Sequence, residues 1–180
     1  MPRPKNPLLS RDVILRAALR IVDEHGPDAL STNRIAAELG VKGPSLYNHV
    51  AGRGEIIDGL RELLLAEFDI CATGLRPWTV ALDRLARSYR ATLAAHPNVV
   101  PLISTQPIRS PLVLGAYEQV FDVLREAGWP EDELFPTVRA VEYVATGSVL
   151  DHSVGAPDAE RVFELGLTAL IAGLESRQRG

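Results

Sequence analysis

The sequence has little of several features that mark particular classes of protein. It contains one cysteine, Cys71, which excludes an internal disulfide framework and a cysteine-based zinc site. No apolar run approaches the roughly 18 residues of a membrane-spanning helix. The basic residues near the start are not followed by an apolar segment, so they do not form a secretory signal. These absences favour a cytoplasmic protein.

Lysine is also scarce, and both lysines, Lys5 and Lys42, lie near the start of the chain. Residues 1–53 hold eight Lys and Arg against five Asp and Glu, whereas residues 54–180 hold eleven against eighteen. A basic head on an acidic body suggests that only the head meets an anionic partner such as nucleic acid. An excess of three charges is common in other proteins too, so the motifs must decide.

No stretch of the sequence alternates between apolar and polar residues over the length of a strand, and no internal repeat is present. Apolar residues instead recur at helical spacing, and the segments between them carry Gly, Pro, Asn or Asp. The sequence therefore predicts an all-α fold. The predicted helices cover about 10–26, 31–40, 44–50, 55–72, 79–95, 97–104, 110–127, 131–153 and 158–176.

The stretch GVKGPSLYNHV, residues 40–50, gathers polar, aromatic and basic side chains within an otherwise helical pattern. A short helix capped by Ser31 precedes it, a tight glycine turn follows, and Pro44 suits the first turn of a new helix. Leu46 and Val50 are four residues apart and point inward together, which leaves the polar residues exposed. Two short helices joined in this way predict a helix-turn-helix for DNA binding.

An enzyme is the main alternative, and the sequence offers little for one. The four histidines, at 25, 49, 96 and 152, are far apart and form no metal-binding pair on one helix. There is no G-x-S-x-G motif, and Cys71 falls in an apolar segment predicted to be helical. The adjacent Asp151 and His152 are an isolated pair. We therefore expect no catalytic residues, no metal site and no cofactor.

The last predicted helix, AERVFELGLTALIAGLES, has apolar or small residues around most of its circumference. Such a helix must be buried on more than one side. Paired with VEYVATGSVLD, it could form a four-helix bundle across a two-fold axis of a homodimer. The alternative is a central helix in the core of a monomer.

With these motifs placed, the stretch ALSTNRIAAELGVKGPSLYNHVAGRGEIIDGL resembles the TetR family of bacterial transcriptional regulators. RSYRATLAAHP and ATGSVLDH resemble its regulatory domain more faintly. The resemblance implies a three-helix DNA-binding domain at residues 1–54 and a helical effector-binding and dimerisation domain at 55–180. It implies a homodimeric regulator, expected to be a repressor, that a small-molecule effector releases from a palindromic double-stranded operator. A DNA-binding dimer without an effector is the alternative.

The same resemblance assigns DNA contacts to the two short helices and to the start of the next one. The implied DNA-binding residues are Thr32, Asn33, Lys42, Gly43, Pro44, Ser45, Tyr47, Asn48, His49 and Arg53. Asn48 can pair with adenine through two hydrogen bonds, and Lys42 can reach guanine or a phosphate. Tyr47 is equally open to packing on Leu39 or Val41. Gly43 departs from the longer polar residue common in the family.

The pocket-facing positions that the resemblance implies are mostly apolar and aromatic, with one acid. They are Tyr89, Ile103, Tyr117, Phe121, Phe135, Val138 and Asp151. An ordinary helical core explains the same residues. Ile103 and Asp69 occupy positions where the family's metal-dependent members carry histidine, so a metal-chelated tetracycline is not expected. The expected effector is apolar or aromatic, with a cationic or hydroxyl group for Asp151.

Overall fold

The computed structural model describes residues 9–151 and 156–179. All regular structure within these ranges is helical, as predicted, and no helix among them combines the length and apolarity needed to cross a membrane. Three short 3-10 turns cover Pro27–Ala29, Ile70–Gly74 and Pro97–Val99. The α-helices are α1 (Arg11–His25), α2 (Thr32–Glu38), α3 (Gly43–Leu46), α4 (Arg53–Glu67), α5 (Trp78–Ala95), α6 (Val100–Ser104), α7 (Pro111–Glu126), α8 (Glu131–Leu150) and α9 (Ala156–Arg179).

The chain forms two compact units. The first comprises the residues up to Leu63 together with Asn98–Ser110, and the second comprises Leu64–Pro97 together with the chain from Pro111 onward. The first unit therefore contains α1 to α3, most of α4, and α6. The boundary at residue 54 between a DNA-binding domain and an effector-binding domain concerns function rather than these compact units. It stays a prediction.

The predicted caps are present in the first unit. The Ser10 hydroxyl accepts a hydrogen bond from the Val13 N–H at 3.3 Å, and the Ser31 hydroxyl accepts one from the Arg34 N–H at 3.2 Å. Each satisfies an amide that the first turn of its helix leaves without a partner. Gly26 ends α1 with a φ of 82°, a conformation that glycine adopts at little cost.

The core of the first unit is made by the inner faces of α1 to α4. Its fully buried members come from each of these helices and include Ile14, Ile35, Leu46, Ile56 and Leu60. Helices α1 and α4 approach closely at Gly59, because a Cβ atom there would overlap the Leu15 side chain. Short helices of four to seven residues are not stable alone, so this packing holds α2 and α3 in place.

Helix α4 ends earlier than the sequence predicted. It stops at Glu67 rather than near residue 72, and Ile70–Gly74 forms a 3-10 turn. The Ser88 hydroxyl accepts a hydrogen bond from the Asp69 N–H at 2.8 Å and replaces the partner that a continuing helix would supply. Cys71 is exposed in the 3-10 turn, so its predicted place in an apolar helix is wrong.

The second unit buries one hydrophobic cluster among α5, α7, α8 and α9. Trp78 and Trp129 meet edge to face with ring centroids 5.3 Å apart. Phe163 and Leu167 anchor the inner side of α9 and are 2% and 0% exposed. The predicted extension of α8 beyond Leu150 falls partly on residues 152–155, which lie outside the described ranges.

Candidate DNA-binding and effector sites

The turn between α2 and α3 has the geometry predicted from its glycine. Gly40 has a φ of 64°, which lies in the left-handed region. The Gly40 N–H donates to the Ala37 carbonyl at 3.1 Å, and the Val41 N–H donates to the Ala36 carbonyl at 2.9 Å. These bonds close the end of α2 and set the angle at which the chain enters α3.

Helix α3 is anchored by its apolar residues. Leu46 and Val50 are 0% and 2% exposed, so the prediction that they point inward together is confirmed. Beyond Leu46, the N–H groups of His49 and Val50 both donate to the Leu46 carbonyl, at 2.9 and 3.0 Å, and they continue the helical turn. The buried side chains and these hydrogen bonds hold the turn in place, and they thereby fix the position of its polar side.

The polar side chains on α3 and in the turn directly after it differ in their accessibility. Asn48 is exposed, and Tyr47 keeps 57% of its surface accessible, which favours an external contact over packing on the protein. Ser45 and His49 are half-buried. This exposed pair, directly after α3, is therefore well placed to reach the edges of bases in a major groove.

The beginnings of α2 and α3 lie side by side. A Cβ atom at Gly43 would lie 3.8 Å from the Asn33 Oδ1 atom, an ordinary contact distance. The structure thus brings Asn33 together with Gly43 and leaves room for a side chain at residue 43. Lys42 and Pro44 are exposed and Thr32 is half-buried. Arg34, which was absent from the predicted set, is exposed on α2 and adds positive charge.

Arg53 has a structural bond that the sequence did not predict. Its Nη1 atom donates to the Leu30 carbonyl at 2.8 Å, which ties the start of α4 to the segment before α2. At the same helix start, Glu55 accepts a hydrogen bond from the Ala51 N–H at 2.6 Å. A guanidinium group has five N–H donors, so Arg53 retains donors for a phosphate.

Three residues of the predicted effector set come together in the second unit. Tyr117 and Phe121 have ring centroids 5.9 Å apart, and Tyr117 and Phe135 are 6.4 Å apart. Val138 is buried on the same face of α8 as the core, whereas Phe135 is 57% exposed. Tyr89 does not belong to this group; its ring contacts the Phe68 ring edge to face, with ring centroids 6.2 Å apart.

The structure places Ile103 and Asp151 elsewhere. Ile103 belongs to the first unit, where its carbonyl accepts a hydrogen bond from Arg61 at 2.7 Å. Asp151 lines a cavity of about 250 Å³ between α8 and α9 in the second unit. Tyr143, Phe163 and Val162 line the same cavity, so a mainly apolar space adjoins this acid.

Sequence reasoning missed a polar group beside the aromatic residues. Glu142 accepts hydrogen bonds from the Tyr117 hydroxyl at 2.7 and 2.9 Å, and the Arg139 Nη1 atom donates to it at 2.5 Å. Burial raises the pKa of Glu142, although the bonds from Tyr117 and Arg139 oppose the shift. Burial, together with the neighbouring Glu142 carboxylate, also raises the pKa of Tyr117. The Arg139 guanidinium lies 4.9 Å from the centre of the Tyr143 ring.

Helices α8 and α9 also present large apolar side chains to solvent. Tyr143 on α8 is 64% exposed, and Val162 and Leu165 on α9 are 61% and 73% exposed. A Cβ atom at Gly166 would lie 3.4 Å from Val144, so the two helices already pack closely at this point. Tyr143 and Val162 line the same space between α8 and α9, and exposed apolar residues grouped in this way are typical of protein–protein interfaces.

Comparison with known protein families gives two matches. Residues 14–60 match the bacterial regulatory proteins of the tetR family, and residues 72–161 match the tetracyclin repressor-like C-terminal domain. The chain belongs to the TetR family. The prediction of the family is confirmed.

Several curated relatives carry the word repressor in their names, and two of them show the extent of the match. DrrR1 of Streptomyces coeruleorubidus is 31% identical over 147 residues, which cover 81% of this chain and 54% of the relative. The class A tetracycline repressor of Escherichia coli is 30% identical over 153 residues, which cover 84% of this chain and 70% of that protein. The chain thus spans 54% of the length of DrrR1, and it spans 63% of the length of an HTH-type transcriptional regulator of Saccharopolyspora erythraea.

Two solved TetR-family structures resemble this chain over most of its length. A tetracycline repressor variant from Acinetobacter baumannii AYE in complex with minocycline has a TM-score of 0.83 at 27% identity, covering 94% of this chain and 98% of that one. ActR of Streptomyces coelicolor in complex with actinorhodin has a TM-score of 0.81 at 26% identity, covering 94% and 97%.

Proposed function

We propose that this TetR-family protein is a ligand-responsive repressor that binds a palindromic operator as a homodimer and is released by a small-molecule effector. The observation that carries the proposal is the exposed polar side of α3 and the turn after it, held in place by buried Leu46 and Val50. A regulator of this kind acts on DNA in the cytoplasm. The proposed division of labour assigns DNA binding to residues 1–54 and the remaining roles to residues 55–180.

The DNA contacts divide into base reading and phosphate binding. Tyr47 and Asn48 are exposed directly after α3, and we assign them to base edges in the major groove. Thr32 and Asn33 lie in the first turn of α2, where helix N-termini favour phosphate oxygens. The remaining donors of Arg53 are assigned to a phosphate, since one is already bonded to Leu30.

The homodimer is assigned to the exposed apolar faces of α8 and α9. Leu165 and Tyr143 expose more than 60% of their surfaces in the single chain. Joining two copies through these faces would build a four-helix bundle and remove the apolar side chains from water. The two DNA-binding domains of the dimer would then bind two half-sites about one helical turn or somewhat more apart.

The effector is proposed to be an aromatic molecule that carries a hydroxyl group. Its rings would pack on the side chains of Tyr117, Phe121 and Phe135, whose centroids already lie within 6.4 Å of a neighbour. The hydroxyl would join the hydrogen bonds around Glu142 and Arg139. Relatives were solved with minocycline and with actinorhodin, which supports an effector of this general size and aromatic character.

Release from the operator is proposed to work as a shift between two states of the dimer. The effector binds more tightly to a state in which the spacing of the two DNA-binding domains does not match the operator. Moving the equilibrium from 1:99 to 99:1 needs a difference in binding free energy of about 5.5 kcal/mol between the states. An effector that binds both states equally would leave operator occupancy unchanged.

Selection from a random duplex DNA pool, followed by a screen for release, tests this function. The purified protein should enrich a palindrome with two matched half-sites. Hydroxylated aromatic compounds are then added to the complex, and release is followed by fluorescence anisotropy of the labelled duplex. A palindrome without release by any compound would favour a DNA-binding dimer that has no effector. No enrichment at low salt would contradict the proposed DNA binding itself.

A further inference from the structure

Arg90 is a largely buried arginine of α5 whose contacts reach two other helices of the second unit. Its Nε atom donates to the Ser148 hydroxyl of α8 at 3.0 Å. Its Nη1 atom pairs with the Glu160 carboxylate of α9 at 2.5 Å, and its side chain is only 16% exposed. The guanidinium carbon also lies 4.8 Å from the centre of the Phe163 ring on α9. One side chain therefore joins α5, α8 and α9.

Two of the residues that Arg90 contacts also line the cavity between α8 and α9. They are Ser148 and Phe163. The Ser148 hydroxyl donates its hydrogen to the Ala145 carbonyl at 2.7 Å, so it accepts the hydrogen bond from Arg90. Phe163 is buried and belongs to the hydrophobic cluster of the unit. Arg90 thus holds one residue on each of the two helices that enclose the cavity.

Other residues of the same cavity belong to the proposed dimer face. Tyr143 of α8 and Val162 of α9 line the cavity, and both expose most of their surfaces. Val162 directly precedes Phe163 in the chain, and Leu165 follows Val162 by three residues, so Val162 and Leu165 are neighbours on the surface of α9. The positions of these exposed side chains therefore depend on where α9 lies relative to α8.

The contacts of Arg90 are better suited to fixing an arrangement than to adding stability. A largely buried ion pair contributes little net stability, because removing the charges from water costs about as much as their attraction returns. The planar guanidinium instead fixes the directions of several contacts at once. In a dimer with two-fold symmetry the same surface meets itself, so a displacement of α9 in each subunit disturbs the interface twice.

We propose that Arg90 is a positioning residue for the homodimer, holding α8 and α9 in the arrangement that lets their exposed apolar faces pair with those of a second copy. This inference rests on the proposed function, which assigns the homodimer to these faces. Arg90 acts through Ser148, Glu160 and Phe163, all within its own subunit. Its loss should weaken the pairing of two copies more than the folding of one.

The dissociation constant of the dimer tests this role. It is measured by fluorescence-detected sedimentation velocity on a dilution series of labelled protein that extends below nanomolar concentration. Arg90→Met keeps an unbranched side chain beside Phe163 but has no donor for Ser148 and no charge for Glu160. It should raise the dissociation constant by at least about tenfold, as expected for the loss of a hydrogen bond from a charged group.

Arg87→Met is the matched control. Arg87 lies three residues earlier on α5, and it pairs with Asp83 of its own helix and with Glu164 of α9. Within the described residues, none of its hydrogen bonds or ion pairs reaches α8. This variant also loses an ion pair between α5 and α9, but its dissociation constant should stay within about threefold of the natural value.

Two milder variants keep the test decisive if circular dichroism shows that Arg90→Met folds poorly. Arg90→Lys retains a charge for Glu160 but has a single ammonium centre, and Ser148→Ala removes only the contact with α8. Each should raise the dissociation constant by more than about threefold. Adding Ser148→Ala to Arg90→Met should change the constant by less than about threefold, because the two residues share one hydrogen bond.

The possible results separate this inference from the proposed function. An Arg90→Met dimer as tight as the natural one would overturn the inference and leave the homodimer standing. Equal weakening by Arg87→Met and Arg90→Met would overturn it as well, because it would show that any loss between α5 and α9 has the same effect. A natural protein that is monomeric at every concentration would overturn both the inference and the proposed homodimer.

Discussion

Two glycines of α4 offer a direct test of how the DNA-reading unit is packed. Gly59 is buried against α1, and a Cβ atom added there would lie 3.0 Å from the Leu15 Cγ atom and closer still to its methyl groups. Leu15 is itself 2% exposed, so it has little room to move. Gly54 lies in the same helix, is exposed, and has no neighbouring atom within 4 Å of an added Cβ.

Alanine at these two positions should therefore differ in its effect on the free energy of unfolding. Replacing glycine by alanine inside a helix gains up to about 1 kcal/mol from backbone entropy, and both variants share this gain. Gly59→Ala additionally overpacks the α1–α4 contact, at a cost of about 1–3 kcal/mol. Gly54→Ala should be neutral or stabilising, and Gly59→Ala should be less stable than Gly54→Ala by about 1–3 kcal/mol.

Thermal unfolding at a fixed protein concentration measures this difference, since dimer formation makes the melting temperature depend on concentration. A domain of this size shifts by roughly 2–4 °C per kcal/mol. Equal melting temperatures for the two variants, or a higher one for Gly59→Ala, would refute the close approach of α1 and α4. Circular dichroism at low temperature checks that both variants are folded.

Three further predictions concern the proposed sites. Asn48→Ala should relax specificity at one base pair of each half-site, at a cost of about 1–3 kcal/mol, and an unchanged preferred sequence in a repeated selection would contradict base reading by Asn48. Leu165→Glu should give a monomer in sedimentation equilibrium, because it places a charge in the proposed dimer face, whereas Leu112→Glu, at a residue 60% exposed on α7, should remain dimeric. Leu165→Glu that sediments as a dimer would exclude this face. The raised pKa of Glu142 means that the native state keeps its proton to higher pH than the unfolded chain, so its contribution to stability is lost as pH rises above about 4.5. The stability of Glu142→Gln relative to the natural protein should accordingly increase between pH 4.5 and 7, and a constant difference would contradict the shift.

The features that could be predicted from sequence are those set by neighbours along the chain. The caps at Ser10 and Ser31, the glycine turn at Gly40, and the inward pair Leu46 and Val50 all follow from residue type and helical spacing. These local preferences agree with the packing of the first unit, so the pattern and the structure coincide.

The features that were missed depend on residues far apart in the sequence. The early end of α4 requires Ser88 to reach the amide of Asp69, and nothing near residue 69 signals it. The hydrogen bonds of Arg61 could not be predicted, because their acceptors at Ile103 and Gln106 lie 42 and 45 residues later in the chain. The hydrogen bond between Glu142 and the Tyr117 hydroxyl was missed for the same reason, because Tyr117 lies 25 residues earlier on another helix.

Separation along the chain also explains why only some of the predicted effector-binding residues lie together. Tyr117, Phe121 and Phe135 do lie together, because α7 and α8 are consecutive helices that pack side by side. Ile103 was assigned with them by position alone, but it falls in a segment that folds with the first unit. Their roles in effector binding stay predictions until a ligand is found.

The spacing of the two half-sites tests the central claim most directly. The measurement compares the affinity of the protein for its selected palindrome with its affinity for the same duplex carrying five extra base pairs at the centre. A rigid dimer that places one α3 in each of two major grooves on the same face of the DNA should lose roughly a hundredfold or more in affinity, because half a helical turn moves the second half-site to the opposite face. Equal affinity for the two duplexes would contradict a dimeric reader with fixed heads.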